Sequence, residues 1–159
     1  MEEAIRKAEV LIEALPYIKA FKDRVVVVKL GGSALAELSI LQELLEDVLF
    51  MKAAGMRPVL VHGGGPHITL EMSRRGKQPQ FIQGHRVTDA ETLKLVVDVL
   101  VNQVNATILK ELERLGDGGV NLWRDRRPPL EAEKYTPMDG SGNPLDLGYV
   151  GELSSVDVR

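Results

Sequence analysis

The chain has no cysteine and few aromatic residues: of its 159 residues, 4% are Phe, Trp or Tyr. Without cysteine it can form no disulfide framework, no thiolate nucleophile and no cysteine-based zinc site. With so few aromatic rings, the core must be filled by Leu, Val and Ile. The length is sufficient for one domain with a core of its own.

Charge of one sign and long apolar runs are also lacking. The net charge is −3, which indicates no bulk attraction to nucleic acid or to an anionic membrane. No apolar run reaches the roughly 20 residues that a bilayer-spanning helix needs. The first residues, Met1-Glu2-Glu3, are acidic and lack the apolar segment of a signal peptide. We therefore expect a cytoplasmic protein without a nucleic-acid or membrane partner.

Two segments combine a strand pattern with glycine. Residues 25–33 read VVVVKLGGS, a β-branched run that predicts a strand over residues 25–30. Residues 58–66 read PVLVHGGGP, a second strand followed by three glycines. The helical pattern between them predicts a βαβ unit with parallel strands, so both glycine loops leave the same carboxyl edge of the sheet.

Glycine loops and a lysine at that edge form a pocket for anions, with phosphate as the best candidate. Glycine lets backbone N–H groups approach a ligand closely, and the helix predicted after Gly65 adds unpaired N–H donors. Lys29 adds a full charge. Neither loop matches the P-loop or GxGxxG patterns, so nucleotide folds of those kinds are not indicated. The alternative for each loop alone is a tight turn without a ligand.

Arg86 is a further candidate. It lies in the segment GHRVTD, residues 84–89, and the planar fork of arginine matches a carboxylate. The alternative is an ordinary surface arginine. The three histidines show no metal-ligand spacing, so we expect no metal ligands from the protein, and His62 is interpreted as structural.

The N-terminal segment is predicted to be helical. Residues 2–15 form an amphipathic helix that Pro16 interrupts, and a short second piece runs to residue 22. The apolar stripe of this helix packs either on its own domain or on another subunit. The stripe consists of Ile5, Ala8, Leu11, Ile12 and Leu15.

Capping boxes predict the starts of two further helices, one at Ser39 with Gln42 and one at Thr88 with Glu91. The second of these helices is predicted over residues 90–115.

Residues 79–87 are predicted to form a short extended segment or a hairpin. A second hairpin is predicted to pair residues 130–136 with residues 145–150. A basic patch lies at residues 124–127.

The combination of motifs resembles the amino acid kinase family. The segments VKLGGS, VHGGGP and GHRVTD carry this resemblance in their order and spacing, and it covers residues 4–157. The N-terminal stretch KAEVLIEALPYI, residues 7–18, resembles the extra helix of the arginine-inhibited, hexameric members, which implies a homo-oligomer. LGYVG, residues 147–151, is similar to the hairpin of the family.

The resemblance implies an α/β fold, a three-layer sandwich with a mainly parallel central sheet, truncated, with a β-hairpin near the C-terminus. Residues 1–23 would be a helical extension and residues 24–159 the acceptor-binding lobe, with the nucleotide-binding lobe absent. The implied reaction is the phosphorylation of the γ-carboxylate of N-acetyl-L-glutamate by ATP with Mg²⁺, in arginine biosynthesis. A non-catalytic ligand-binding or oligomerisation module, or a kinase of another acceptor such as glutamate or carbamate, are the alternatives.

The resemblance also implies roles for particular residues on the phosphate side of the site. Lys29 would stabilise the transferring phosphoryl group, and Gly31 and Gly32 would donate to phosphate oxygens.

On the acceptor side, Gly64 and Gly65 would bind the acceptor, and Arg86 would bind its α-carboxylate. The chain departs from the family's usual GLSGKDG stretch, since residues 119–127 read GVNLWRDRR.

Overall fold

The computed structural model describes residues 1–32, 34–122 and 130–157. The chain forms two compact units, Met1–Gly63 and Gly64–Arg159. The first unit begins with α1, Glu2–Phe21, which contains Pro16. The predicted interruption at Pro16 is therefore wrong. The proline removes one backbone donor, and the good helix formers around it continue the helix.

A βαβ unit follows α1, as predicted. Strand β1, Val25–Leu30, pairs with β2, Arg57–His62, in parallel, and the register runs from Val25 opposite Arg57 to Leu30 opposite His62.

Helix α2, Leu38–Ala53, connects the two strands and buries Leu41, Leu45 and Val48. The capping box at Ser39 is wrong, because α2 begins before that residue. Glu37 is the N-cap and makes no side-chain cap bond.

The second unit begins with α3, Gly65–Arg74, and a short antiparallel hairpin. The hairpin strands are β3, Phe81–Ile82, and β4, His85–Arg86. Gln83 and Gly84 both have positive φ, 50° and 80°, as a tight two-residue hairpin turn requires. Of the two forms predicted for residues 79–87, a short extended segment or a hairpin, the structure shows the hairpin.

A long helical stretch follows, as predicted, in three parts. Helix α4, Ala90–Val97, continues into a π-helical segment, Asp98–Asn105, and then into α5, Ala106–Arg114. The π-helical segment was not predicted. The capping box at Thr88 is wrong, since the N-cap is Asp89, whose carboxylate accepts a hydrogen bond from the Thr92 N–H at 2.7 Å.

By length and composition alone the stretch Ala90–Arg114 is apolar enough to cross a membrane. A helix in the core of a soluble protein can have the same length and apolar composition. Five apolar side chains are buried along it: Leu95, Val99, Val104, Ile108 and Leu112.

The C-terminal strands form a second hairpin. Strand β5, Leu130–Lys134, pairs antiparallel with β6, Gly151–Val156, so the expected hairpin exists but its second strand is not residues 145–150. Within those residues Gly148 has a φ of 73°, which interrupts an extended strand, and the Leu147 carbonyl accepts from the Thr88 N–H instead. The basic patch at residues 124–127 lies outside the described residues.

Candidate functional site

The ends of β1 and β2 lie at one edge of their sheet. Lys29 is the fifth residue of β1, and Gly31 and Gly32 follow the strand. Gly63 follows β2, and its N–H donates to the Leu30 carbonyl at 3.1 Å. The edge that parallel pairing predicts for the two glycine-bearing strand ends is therefore present.

Lys29 is exposed on the outer face of the strand. Its neighbours on that face, Val25 and Val27, are also exposed, whereas Leu30 on the other face is only 2% accessible. Lys29 makes no hydrogen bond or ion pair with any residue in the described part of the chain. A Cβ atom added to Gly31 would meet nothing within 4 Å, so local packing does not require glycine at that position.

The space available for a side chain differs between Gly64 and Gly65. Gly64 is the buried N-cap of α3, and a Cβ there would collide with the side chain of Leu100 in the π-helical segment. Gly65 is exposed, and a Cβ there would meet nothing within 4 Å. A side chain at Gly64 would therefore require Leu100 to move, while Gly65 leaves the backbone accessible at the first turn of a helix.

The guanidinium of Arg86 is held against one face of α3. Its Nη2 donates to Thr69 Oγ1 at 2.8 Å and to the Gly65 carbonyl at 3.3 Å, and its Nη1 lies 3.0 Å from Met72 Sδ. Phe81, opposite Arg86 in the hairpin, stacks its ring 4.7 Å from the guanidinium carbon. The structure thus brings together two predicted site residues, Gly65 and Arg86.

The charge of Arg86 has no acidic counterpart among the residues that the structure describes. Thr69, Met72 and the Gly65 carbonyl are neutral acceptors, and Phe81 provides a neutral ring. Partial burial lowers the pKa of Arg86 from its usual value, because removing a cation from water disfavours its charged form. A partly desolvated guanidinium with neutral neighbours is an energetically favourable position for an anion.

The backbone around Arg86 is also held in place. Thr88 Oγ1 donates to the Arg86 carbonyl at 2.9 Å. The Thr88 N–H donates to the Leu147 carbonyl at 2.8 Å, and the Tyr149 N–H donates to the Thr88 carbonyl at 2.7 Å. Between them Gly148 has a positive φ, and a Cβ there would collide with the Thr88 carbonyl oxygen, so only glycine fits.

An ion pair spans the segment that contains the hairpin. Lys77 Nζ lies 2.7 Å from Asp89 Oδ2 and 2.9 Å from Glu91 Oε2. The hydrogen bond from Lys77, followed by that from the Thr92 N–H, holds the pKa of Asp89 well below its usual range. The same contacts with Asp89 and Glu91 raise the pKa of Lys77. The pair connects the segment between α3 and β3 to the start of α4.

The histidines do not form a cluster. His62 Nδ1 lies 3.0 Å from the Gly63 carbonyl, and the ring of His85 lies 5.1 Å from that of Tyr135. Across the described ranges, no group of three or more His, Cys, Asp or Glu side chains is arranged to hold a metal ion.

Sequence reasoning missed the partners of Arg86. Thr69 and Met72 lie four and seven residues after Gly65, on one side of α3. Phe81 is the cross-strand partner of Arg86. The sequence offered two signals, the helical spacing of Thr69 and Met72 and the register of the hairpin. These signals place the residues beside Arg86 only if the hairpin packs on α3, which the sequence does not show.

Residues 24–154 match the model of the amino acid kinase family, and the chain belongs to this family. An acetylglutamate kinase from Moorella thermoacetica is 44% identical over 156 residues, which cover 96% of this chain and 53% of that protein. An acetylglutamate kinase from Methanothrix thermoacetophila is 41% identical over 153 residues, with coverages of 96% and 53%. The chain therefore spans about half the length of these curated relatives.

Solved structures agree with the family assignment. N-acetylglutamate synthase from Neisseria gonorrhoeae, complexed with coenzyme A and N-acetyl-glutamate, matches with a TM-score of 0.74 at 25% identity, over 92% of this chain and 32% of that one. The smu.665 protein from Streptococcus mutans UA159 matches with a TM-score of 0.69 at 28% identity, over 83% and 50%. The α/β fold is thus the amino acid kinase fold.

Proposed function

We propose that this chain carries the acceptor-binding lobe of an acetylglutamate kinase, in residues 24–159, with residues 1–23 as a helical extension. The observation that supports this most strongly is the Arg86 guanidinium, which is partly buried against neutral groups and has no acidic partner within the described ranges. The α-carboxylate of N-acetyl-L-glutamate would supply the missing negative charge. Gly64 and Gly65 would bring backbone groups of the first turn of α3 to the same ligand.

In the proposed reaction, a γ-carboxylate oxygen of N-acetyl-L-glutamate attacks the γ-phosphorus of ATP. A new oxygen–phosphorus bond forms, the bond from the γ-phosphorus to the bridging oxygen breaks, and ADP leaves. Lys29 would stabilise the charge on the transferring phosphoryl group, and Gly31 and Gly32 would donate backbone N–H groups to its oxygens. The exposed Lys29 head group and the space beside Gly31 support these roles.

ATP is proposed as the co-substrate because the family is one of kinases. The described residues contain no cluster suited to Mg²⁺, so we propose the ion only as a companion of ATP and assign it no step. The pathway would be arginine biosynthesis in the cytoplasm.

Self-association through α1 is proposed as the partner interaction. The helix has no buried residue, and its apolar side includes Leu11 and Ile12, which are 67% and 69% exposed. Sedimentation should show that Ile12→Asp reduces the oligomer, whereas Arg6→Asp, on the opposite face, leaves it intact. A wild-type monomer would contradict this proposal.

Calorimetry tests the proposed acceptor site. The purified chain is titrated with N-acetyl-L-glutamate, with N-acetyl-L-glutamine as the comparison for the γ-carboxylate and glycine as a ligand with only a small α-carboxylate. We expect binding of N-acetyl-L-glutamate with one site per chain. A flat titration with a chain that is folded by circular dichroism would refute the acceptor assignment.

A further inference from the structure

We propose that Thr69 is a positioning residue, which holds the Arg86 guanidinium in its binding orientation before an acceptor arrives. This inference rests on the proposed function, since it concerns the same carboxylate site. Thr69 itself lies on α3 and is partly buried. It lies outside the segments VKLGGS, VHGGGP and GHRVTD.

The contact distances single out Thr69 among the neighbours of Arg86. Its hydroxyl oxygen accepts from Nη2 at 2.8 Å, whereas the Gly65 carbonyl lies at 3.3 Å and Met72 contributes a sulfur at 3.0 Å. Thioether sulfur is a weak acceptor, and a hydrogen bond at 3.3 Å is beyond the usual range for N–H···O. Thr69 is therefore the strongest acceptor that orients the guanidinium.

The orientation is restricted from a second direction by Phe81. The ring lies 4.7 Å from the guanidinium carbon, which keeps the plane of the group against the hairpin. The hydroxyl of Thr69 then fixes rotation of the group within the space that remains. A ring contact and a single strong acceptor together define one orientation, which neither contact defines alone.

The same contacts leave donors for a ligand. A guanidinium has five N–H groups, and the bonds to Thr69, Gly65 and Met72 use three of them. The Nε–H and one Nη1–H have no partner within the described ranges. They lie on different edges of the guanidinium, so a carboxylate that binds two parallel N–H groups would replace the long bond from Nη2 to the Gly65 carbonyl. An arginine that is already held in place loses less conformational entropy when it binds a carboxylate. Its orientation by Thr69 therefore increases the affinity for the ligand, although Thr69 does not contact the ligand.

The test compares Thr69→Val, which keeps the shape but loses the acceptor, with Thr69→Ser, which keeps the hydroxyl. Ser73→Ala is the matched control, because this α3 hydroxyl donates to the Thr69 carbonyl and makes no contact with Arg86. We expect Thr69→Val to raise the Kd for N-acetyl-L-glutamate about tenfold. Thr69→Ser and Ser73→Ala should stay within about threefold of the wild type.

A nuclear magnetic resonance measurement of the Arg86 side chain separates positioning from a structural role and needs no ligand. The Arg86 Nε–H signal should be sharp in the wild type and in Thr69→Ser, and should broaden in Thr69→Val while the thermal midpoint stays unchanged. An unaltered Kd and an unaltered Arg86 signal in Thr69→Val would overturn the inference. If the folded wild type binds no N-acetyl-L-glutamate, the proposed function fails, and the binding role of Thr69 fails with it.

Discussion

Arg86 and Lys29 are both proposed to bind anions, but the surroundings of the two side chains differ. Arg86 is fixed by neutral acceptors on α3 and by the ring of Phe81. Lys29 sits on an exposed strand face and has no partner in the described part of the chain. A fixed, partly desolvated arginine suits a specific carboxylate, whereas an exposed ammonium on a flexible stem suits a phosphoryl group that moves during reaction.

The largest effect is expected at Arg86 itself. Arg86→Met removes the charge and the fork, and calorimetry should show a rise of about 100-fold in the Kd for N-acetyl-L-glutamate. Arg86→Lys keeps the charge without the fork, so its Kd should lie between those of the wild type and the Met variant. Wild-type affinity in the Arg86→Met variant would show that Arg86 does not bind the acceptor.

The next effect concerns the backbone that supports Arg86. Gly148 and Gly142 both have a left-handed backbone, with φ values of 73° and 83°. The Cβ of Gly148→Ala would collide with the Thr88 carbonyl, whereas the Cβ of Gly142→Ala would meet no atom within 4 Å. Urea denaturation should show that Gly142→Ala costs about 1–2 kcal/mol of unfolding free energy and that Gly148→Ala costs more. Gly148→Ala should also weaken acceptor binding, which Gly142→Ala leaves unaffected. Equal costs for the two variants would show that the Thr88 contact is unimportant.

A smaller effect is expected for the ion pair of Lys77 with Asp89. Because the folded pKa of Asp89 lies below its ordinary value of 3.8, this stabilisation is complete above that value and is lost as the pH falls. Asp89→Asn should lower the thermal midpoint at neutral pH and flatten its decline in acid. The exposed α2 variant Glu46→Gln serves as the control. Parallel acid profiles for the wild type and Asp89→Asn would contradict this reading.

The smallest effect on folding and acceptor binding is expected at Lys29. Since the exposed Lys29 makes no hydrogen bond or ion pair within the described ranges, Lys29→Met should change the unfolding free energy by no more than about 0.5 kcal/mol. Its Kd for N-acetyl-L-glutamate should stay near that of the wild type. A large loss in either measurement would show that Lys29 has a structural role and would remove the contrast with Arg86.

The strands and helices that the sequence predicted correctly are those whose residue pattern lies within a few neighbouring residues. The valine run predicted β1, residues 58–62 predicted β2, and the helical pattern between them predicted that the two strands are parallel. The positive φ values at Gln83 and Gly84 accompany a hairpin in a segment where a hairpin was one of the two predicted forms. Cap positions were less predictable, because Glu37 and Asp89 compete with neighbouring residues for the same role. The strand Gly151–Val156 was misplaced because the pairing of Leu147 with Thr88 connects residues distant in sequence.

The candidate site shows the same division. The motifs predict Arg86, Gly65 and Lys29 as site residues, while the environment of Arg86 depends on how the hairpin packs on α3. Thr69 and Phe81 carry no motif of their own, and only three-dimensional contacts reveal their relation to the guanidinium.

A crystal structure of the chain grown with N-acetyl-L-glutamate would show whether Arg86 binds the acceptor. We expect the α-carboxylate of the ligand at about 2.7–2.9 Å from guanidinium nitrogens of Arg86, with Arg86 still bonded to Thr69. A ligand bound elsewhere, with Arg86 bonded only to protein groups, would contradict this expectation.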